Sequence, residues 1–199
     1  AQATTHYWLG GSDGNEGSFA TAANWSTGSV PAAGDTIIFD GRAGTATGSI
    51  TGHTNGYNWN CIDDCNQYTK NFAKIQITSS YTGSIGTGWT EPNLYTSALR
   101  CTWDELIISG SGTYYLNADA DGTTNTATKC DLTIIDTTSG KAYLGSQVTT
   151  GVELEKIWNV KGQCYILEAL ASYRKAPDVE ELLSITSTAK TDLSYGNTG

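Results

Sequence analysis

A chain of 199 residues carries 20 acidic and 11 basic side chains, a formal net charge of −9, and only 16% of its residues are charged. With no basic run anywhere, this balance argues against nucleic acid and anionic membrane as direct partners, because both attract cationic patches. No apolar run approaches the roughly 20 residues of a membrane span, and 23 glycines against 3 prolines, with Ser and Thr throughout, favour strands and turns over helices.

Residues 1–34 hold Trp8, Phe19 and Trp25 among small and polar residues and end on Pro31 and a Gly34-Asp35 turn. They read as a cap that plugs the open end of a strand stack, since exposed strand edges are covered in natural proteins. Residues 35–50 (DTIIFDGRAGTATGSI) supply the first strands, with Ile38 and Ile50 as anchors. Residues 51–73, aromatic and polar without a period, read as a long recognition loop.

From residue 74 to 193 one local pattern recurs five times: a β-rich run, a polar or Gly-bearing turn, and a second apolar anchor. The first runs end at Ile77, Ile108, Ile135, Val160 and Ile185, at intervals of 31, 27, 25 and 25. The second anchors, Ile85, Leu116, Leu144, Leu167 and Leu193, follow by 7 to 9 residues. Strand, corner, strand at a recurrence near 25 fits the coil of a β-solenoid. The prediction is a single all-β domain over 1–199, a short right-handed β-solenoid (β-helix), in which the five first-run residues stack in one interior column. A β-sandwich or jelly roll, whose strands also recur every 8 to 12 residues, is the alternative. Residues 87–100 and 117–129 read as excursions, 168–183 (EALASYRKAPDVEELL) as a helix broken at Pro177, and 194–199 as a tail.

The opening YWLGGSDG…FATAANWSTGSVPAAGDTIIF, about residues 7–41, resembles the W-x-G-G…T-A-A-N-W-S…P-x-x-G-D-T/V opening of two groups. One is the tailed-phage virion proteins built on short β-solenoids, and the other is the autotransporter-type bacterial surface proteins. The compact acidic chain looks more like a phage head decoration (cement) protein. That resemblance implies a structural virion protein, a homotrimer bound to the major capsid protein on the outer capsid surface, stabilising it by binding and not by catalysis. An extracellular β-helix adhesin or carbohydrate-binding module, at the bacterial cell surface or secreted, is the alternative, and a polysaccharide lyase or glycosidase a more distant one.

The candidate interface residues are Tyr57, Trp59, Tyr68, Trp89 and Tyr95, aromatics in the loop and excursions that suit a protein interface or a sugar platform. No catalytic, cofactor or metal site is expected. NADADG places Asn117, Asp119, Asp121 and Gly122 at calcium-loop positions, but the twelfth position is Thr128 and not Glu. The adjacent carboxylates Asp63–Asp64, Asp104–Glu105 and Glu180–Glu181 are not expected to converge, since neighbouring strand residues face opposite sides. His6 and His53 read as lying in Gly- and Thr-rich loops without a nucleophile elbow and at no metal-ligand spacing. Cys61, Cys65, Cys101, Cys130 and Cys164 read as buried reduced thiols, with Cys61–Cys65 or Cys101–Cys130 the pairs to consider if the protein is secreted. The start at Ala1 fits removal of an initiator Met or of a secretion signal.

Overall fold

The computed structural model describes residues 3–42, 58–87, 98–118, 129–146, 153–167 and 178–195. Their strands are β1 (Thr5–Tyr7), β2 (Thr36–Phe39), β3 (Asn66–Ile77), β4 (Leu99–Ile108), β5 (Thr113–Ala118), β6 (Lys129–Ser146), β7 (Glu153–Leu167), β8 (Asp178–Ser184) and β9 (Ala189–Tyr195). Every pairing between these strands is parallel. Parallel neighbours cannot be joined by hairpins, so the chain must circle before each return. The result is a short β-solenoid of about five turns, which excludes the sandwich and the jelly roll.

One wall runs β1, β2, β3, β4, β6, β7, β8. A second wall joins β5, β6, β7 and β9, because β6 and β7 bend at a corner and serve both walls. Strand alternation sends every second residue of the first wall inward. Two interior columns follow: His6, Ile37, Ile75, Leu106, Thr133, Ile157, Leu182, and beside it Phe39, Ile77, Ile108, Ile135, Asn159, Ser184.

Ile77, Ile108 and Ile135 therefore stack as expected, whereas Val160 and Ile185 do not. Their places are taken by Asn159 and Ser184. The last apolar residue of a run marks the interior column only while that column is apolar, and at β7 it is not. Asn159 is fully buried, and its Nδ2 donates to the Gly162 and Lys190 carbonyls and to Thr191 Oγ1. Val160 then falls in the corner, and Ile185 lies 57% exposed beyond the end of β8. The β7 corner is short, and Gly162 holds φ +120° there; a Cβ would sit 2.7 Å from the Thr137 carbonyl oxygen. Among the second anchors, Leu116 and Leu144 are in register, but Leu144 continues to Ile166 and not to Leu167, which pairs with Tyr195. In β2 it is Phe39 that enters the core, and Ile38 faces out; Ile50 lies outside the described residues.

Three further expectations change. The loop reaching residue 73 ends earlier, because Asn66–Ile77 form β3. The helix over 168–183 is overturned for its second half: Asp178–Ser184 form β8, with Val179 opposite Leu154 and Leu182 opposite Ile157. Glu and Leu favour helix weakly, and the ladder offered by β7 outweighs that preference; residues 168–177 lie outside the described residues. His6 sits in strand β1, not in a loop. Among the described residues no helix is long and apolar enough to cross a membrane.

Residues 1–34 contribute both β1 and the plug. Trp25 packs edge-on to Phe19 at 4.8 Å and to Trp8 at 5.0 Å, and all three rings are buried. Their indole N–H groups are satisfied, Trp25 Nε1 by the Phe19 carbonyl and Trp8 Nε1 by the Trp59 carbonyl. Asn24, fully buried, accepts from the Ser12 amide and donates to the Asn15 and Ser18 carbonyls. The Asn-Trp of the opening motif is thus the stitch and the plug of one cap. Gly10, at φ +64°, allows the chain to pass Trp59; a Cβ there would collide with the Trp59 Cβ. Asp35 closes the cap by accepting from the Thr4 and Ala32 amides and from His6 Nε2.

Candidate functional site

The outward columns of the first wall form the most extended surface feature of the described residues. One reads Tyr7, Ile38, Gln76, Ile107, Ile134, Trp158, Leu183. Except for Gln76, each member is aliphatic or aromatic. Ile38, Ile107, Ile134 and Trp158 are half-buried and Leu183 is 45% exposed, and the Arg42 guanidinium covers the Tyr7 ring at 3.5 Å. The neighbouring outward column reads Thr36, Lys74, Glu105, Leu132, Lys156, Glu181, and the charges within that column cancel. Rungs about 4.8 Å apart make the stripe from Ile38 to Leu183 roughly 24 Å long.

The stripe deepens into a surface cavity of about 340 Å³ lined by Asp131, Leu132, Glu155, Lys156 and Trp158. Trp158 Nε1 is buried and has no hydrogen-bond partner among the described residues. A buried indole N–H without an acceptor costs free energy that a docked carbonyl would recover.

Sequence reasoning missed this stripe, and a signal for it was present. The runs contain apolar doublets, Ile37-Ile38, Ile107-Ile108, Ile134-Ile135, Ile157-Trp158 and Leu182-Leu183. On a strand one member of each doublet must face out.

Of the five residues expected to carry recognition, the structure describes the side chain of one. Trp59, 38% exposed, lies beside the cap. Tyr57, Trp89 and Tyr95 lie outside the described residues, and Tyr68 is described only as a backbone position within β3. Trp59 borders a cavity of about 530 Å³ with Glu16, Asn60, Asp63 and Asp64. Asp63 and Asp64 both line this cavity, contrary to the expectation that the pair does not converge. Asp63 forms an isolated parallel bridge to Ser18, and Asp64 bends away after it at φ +53°, so the alternation of a continuous strand does not apply. Asp64 accepts from Ser18 Oγ. Asp104 and Glu105 both lie on the outer surface, where the inward positions step from Trp103 to Leu106, and Asp104 accepts from Asn71 Nδ2. Glu180 and Glu181 are exposed.

His6 is held between Thr27 Oγ1 at 2.6 Å and Asp35 Oδ2 at 2.8 Å, a hydroxyl–imidazole–carboxylate line. The imidazole is buried, and the carboxylate is fully engaged in tying the cap to β2. Burial pushes the Asp35 carboxyl up, but the Thr4 and Ala32 amides and His6 outweigh it and leave the pKa below its ordinary value. The line braces the cap. The calcium-loop positions from Asp119 to Thr128, and His53, lie outside the described residues.

All five cysteines are free and buried, so neither Cys61–Cys65 nor Cys101–Cys130 is bridged. Burial pushes the Cys130 and Cys164 thiols up to about 12 and Cys61 well above its usual value. Such thiols stay protonated and unreactive.

Compared with known proteins, the chain matches no family model, no curated protein and no solved structure.

Proposed function

We propose that this chain is a structural virion protein that assembles side by side through its first wall into a homotrimer and decorates the outer surface of a bacteriophage capsid, acting by binding. The observation that carries the reading is the outward stripe Ile38–Ile107–Ile134–Trp158–Leu183 with the charge-neutral column beside it. The rest of a molecule at −9 repels its own copies, whereas this wall presents apolar area and paired signs that a second copy complements. Cyclic symmetry closes such an assembly without leaving a sticky face. The resemblance of residues 7–41 to phage virion solenoids supplies the setting, with the major capsid protein as partner and Trp59 at the capped end as a contact. Three weak footprints on one trimer gain from avidity on a shell that repeats its sites.

Light scattering on the purified protein should give three times the chain mass, and Ile134→Lys with Trp158→Ala should give a folded monomer. Co-sedimentation with capsids should fall when Trp59 is changed to Ala and fall further in the monomeric variant. A wild-type monomer that never sediments with capsids overturns the reading. The cavity beside Trp59, with Asn60, Asp63 and Asp64 as hydrogen-bonding groups, favours a second reading, an extracellular carbohydrate-binding module or adhesin; retention on cell-surface glycan, lost in Trp59→Ala, would support it.

A further inference from the structure

The second wall has a different outer surface. Its outward columns are Tyr115, Tyr143, Tyr165, Asp192 and, beside it, Thr113, Lys141, Gln163, Lys190. The three tyrosine rings stack with centroids 4.6 Å apart at each step and planes 15° and 13° from parallel. Stacked in this way the rings turn their edges and hydroxyls outward, and Tyr165 Oη donates to Gln163 Oε1 at 2.9 Å. That bond leaves the Gln163 Nε2 group as a donor at the surface.

Where this wall turns into the first, a cavity of about 430 Å³ opens, lined by Thr138, Lys161, Gln163, Ser187, Thr188 and Lys190. Lys161 lies 3.7 Å from Asp136, with both side chains nearly half exposed, so its ammonium keeps donors for another acceptor. Among the described residues three lysines, Lys141, Lys161 and Lys190, stand here against two carboxylates, Asp136 and Asp192, an excess of one positive charge. Elsewhere the chain is strongly acidic, with 11 basic residues against 20 acidic ones in all.

We propose that this corner and the adjoining tyrosine ladder bind a carboxylate-bearing polysaccharide laid along the solenoid axis. The ammonium groups of Lys161 and Lys190 take a sugar carboxylate. The Thr138, Ser187 and Thr188 hydroxyls and the Gln163 amide match sugar hydroxyls, and the stacked tyrosines carry the surface on from rung to rung. The sparse positive charge selects among polyanions. Duplex nucleic acid carries a charge about every 1.7 Å, and a −9 protein with three lysines at the site does not hold it. A polysaccharide with one carboxylate per sugar or fewer suits a site with one net charge and many hydroxyls. The site does not depend on self-association or on capsid binding, because every group belongs to one chain and none lies in the first-wall stripe.

Affinity electrophoresis at low ionic strength tests this, with polygalacturonate as the probe and dextran and polyglutamate as comparisons. Polygalacturonate should retard the protein strongly, and dextran and polyglutamate weakly. Lys161→Gln/Lys190→Gln should weaken retardation by about tenfold or more, the loss expected for two charge-assisted contacts. Ser29→Glu/Ala33→Glu, which changes net charge equally but at the cap, should shift it by no more than about twofold. Both variants alter exposed or half-exposed positions, and thermal unfolding checks that they fold like the wild type. No retardation by polygalacturonate, equal loss in both variants, or polyglutamate binding as tightly would each overturn the proposal.

Discussion

The two ends of the solenoid are built in opposite ways. At the first rungs Trp8, Phe19 and Trp25 close the interior columns with rings that are almost wholly buried, and each hydrogen-bonding group of the plug named above has a partner. At the last rungs the column ends on Ser184, which is exposed, and Leu183 and Ile185 stand 45% and 57% exposed. Even the interior changes character on the way, from Phe39 and isoleucines to Asn159 and Ser184. A parallel ladder needs a start that fixes register, and the aromatic cap supplies it. Each later coil inherits register from the one before, so among the described residues the far end is held by backbone pairing and corner bonds more than by a plug.

The largest test of this contrast is Trp25→Ala. Removing a fully buried indole that touches Phe19, Trp8 and Phe39 should cost about 3–5 kcal/mol, read as a lower midpoint in denaturant unfolding. Amide exchange should then quicken in β1 and β2 more than in β7, because the plug supports the first rungs directly.

A smaller effect is expected from acid. The Asp35 carboxyl titrates below its ordinary value of 3.8 because the folded cap stabilises its charged form. Its contribution is therefore complete above the unfolded value and is lost as the pH falls through the lowered folded one. Thermal stability should drop below about pH 3.8, and Asp35→Asn should flatten that drop. An unchanged acid limb in the variant would remove Asp35 from the account of the cap.

The smallest effect belongs to the open end. Ile185→Ser, at an exposed position outside the strands, should change stability by no more than about 0.5 kcal/mol. A loss of several kcal/mol would mean that Ile185 is covered in solution and that the last rung has a plug after all.

Much of this architecture could be read from the chain. The recurrence of Ile77, Ile108 and Ile135 gave the coil, and the Trp, Asn-Trp and Gly-Asp positions of residues 8–35 marked the cap, because steric fit and strand alternation leave few alternatives for such residues. Where the reading failed, a neighbour had decided the outcome. Asn159 enters the column because Gly162, Lys190 and Thr191 accept from its Nδ2, and no local pattern announces those partners. Residues 178–184 favour helix in isolation but form a strand because β7 offers an unpaired edge beside them. The apolar stripe and the lysine corner arise only when residues some 25 positions apart are stacked 4.8 Å apart. Local sequence sets which way a side chain points along its own strand, while the register between coils sets what stands beside it, and both candidate surfaces are properties of that register.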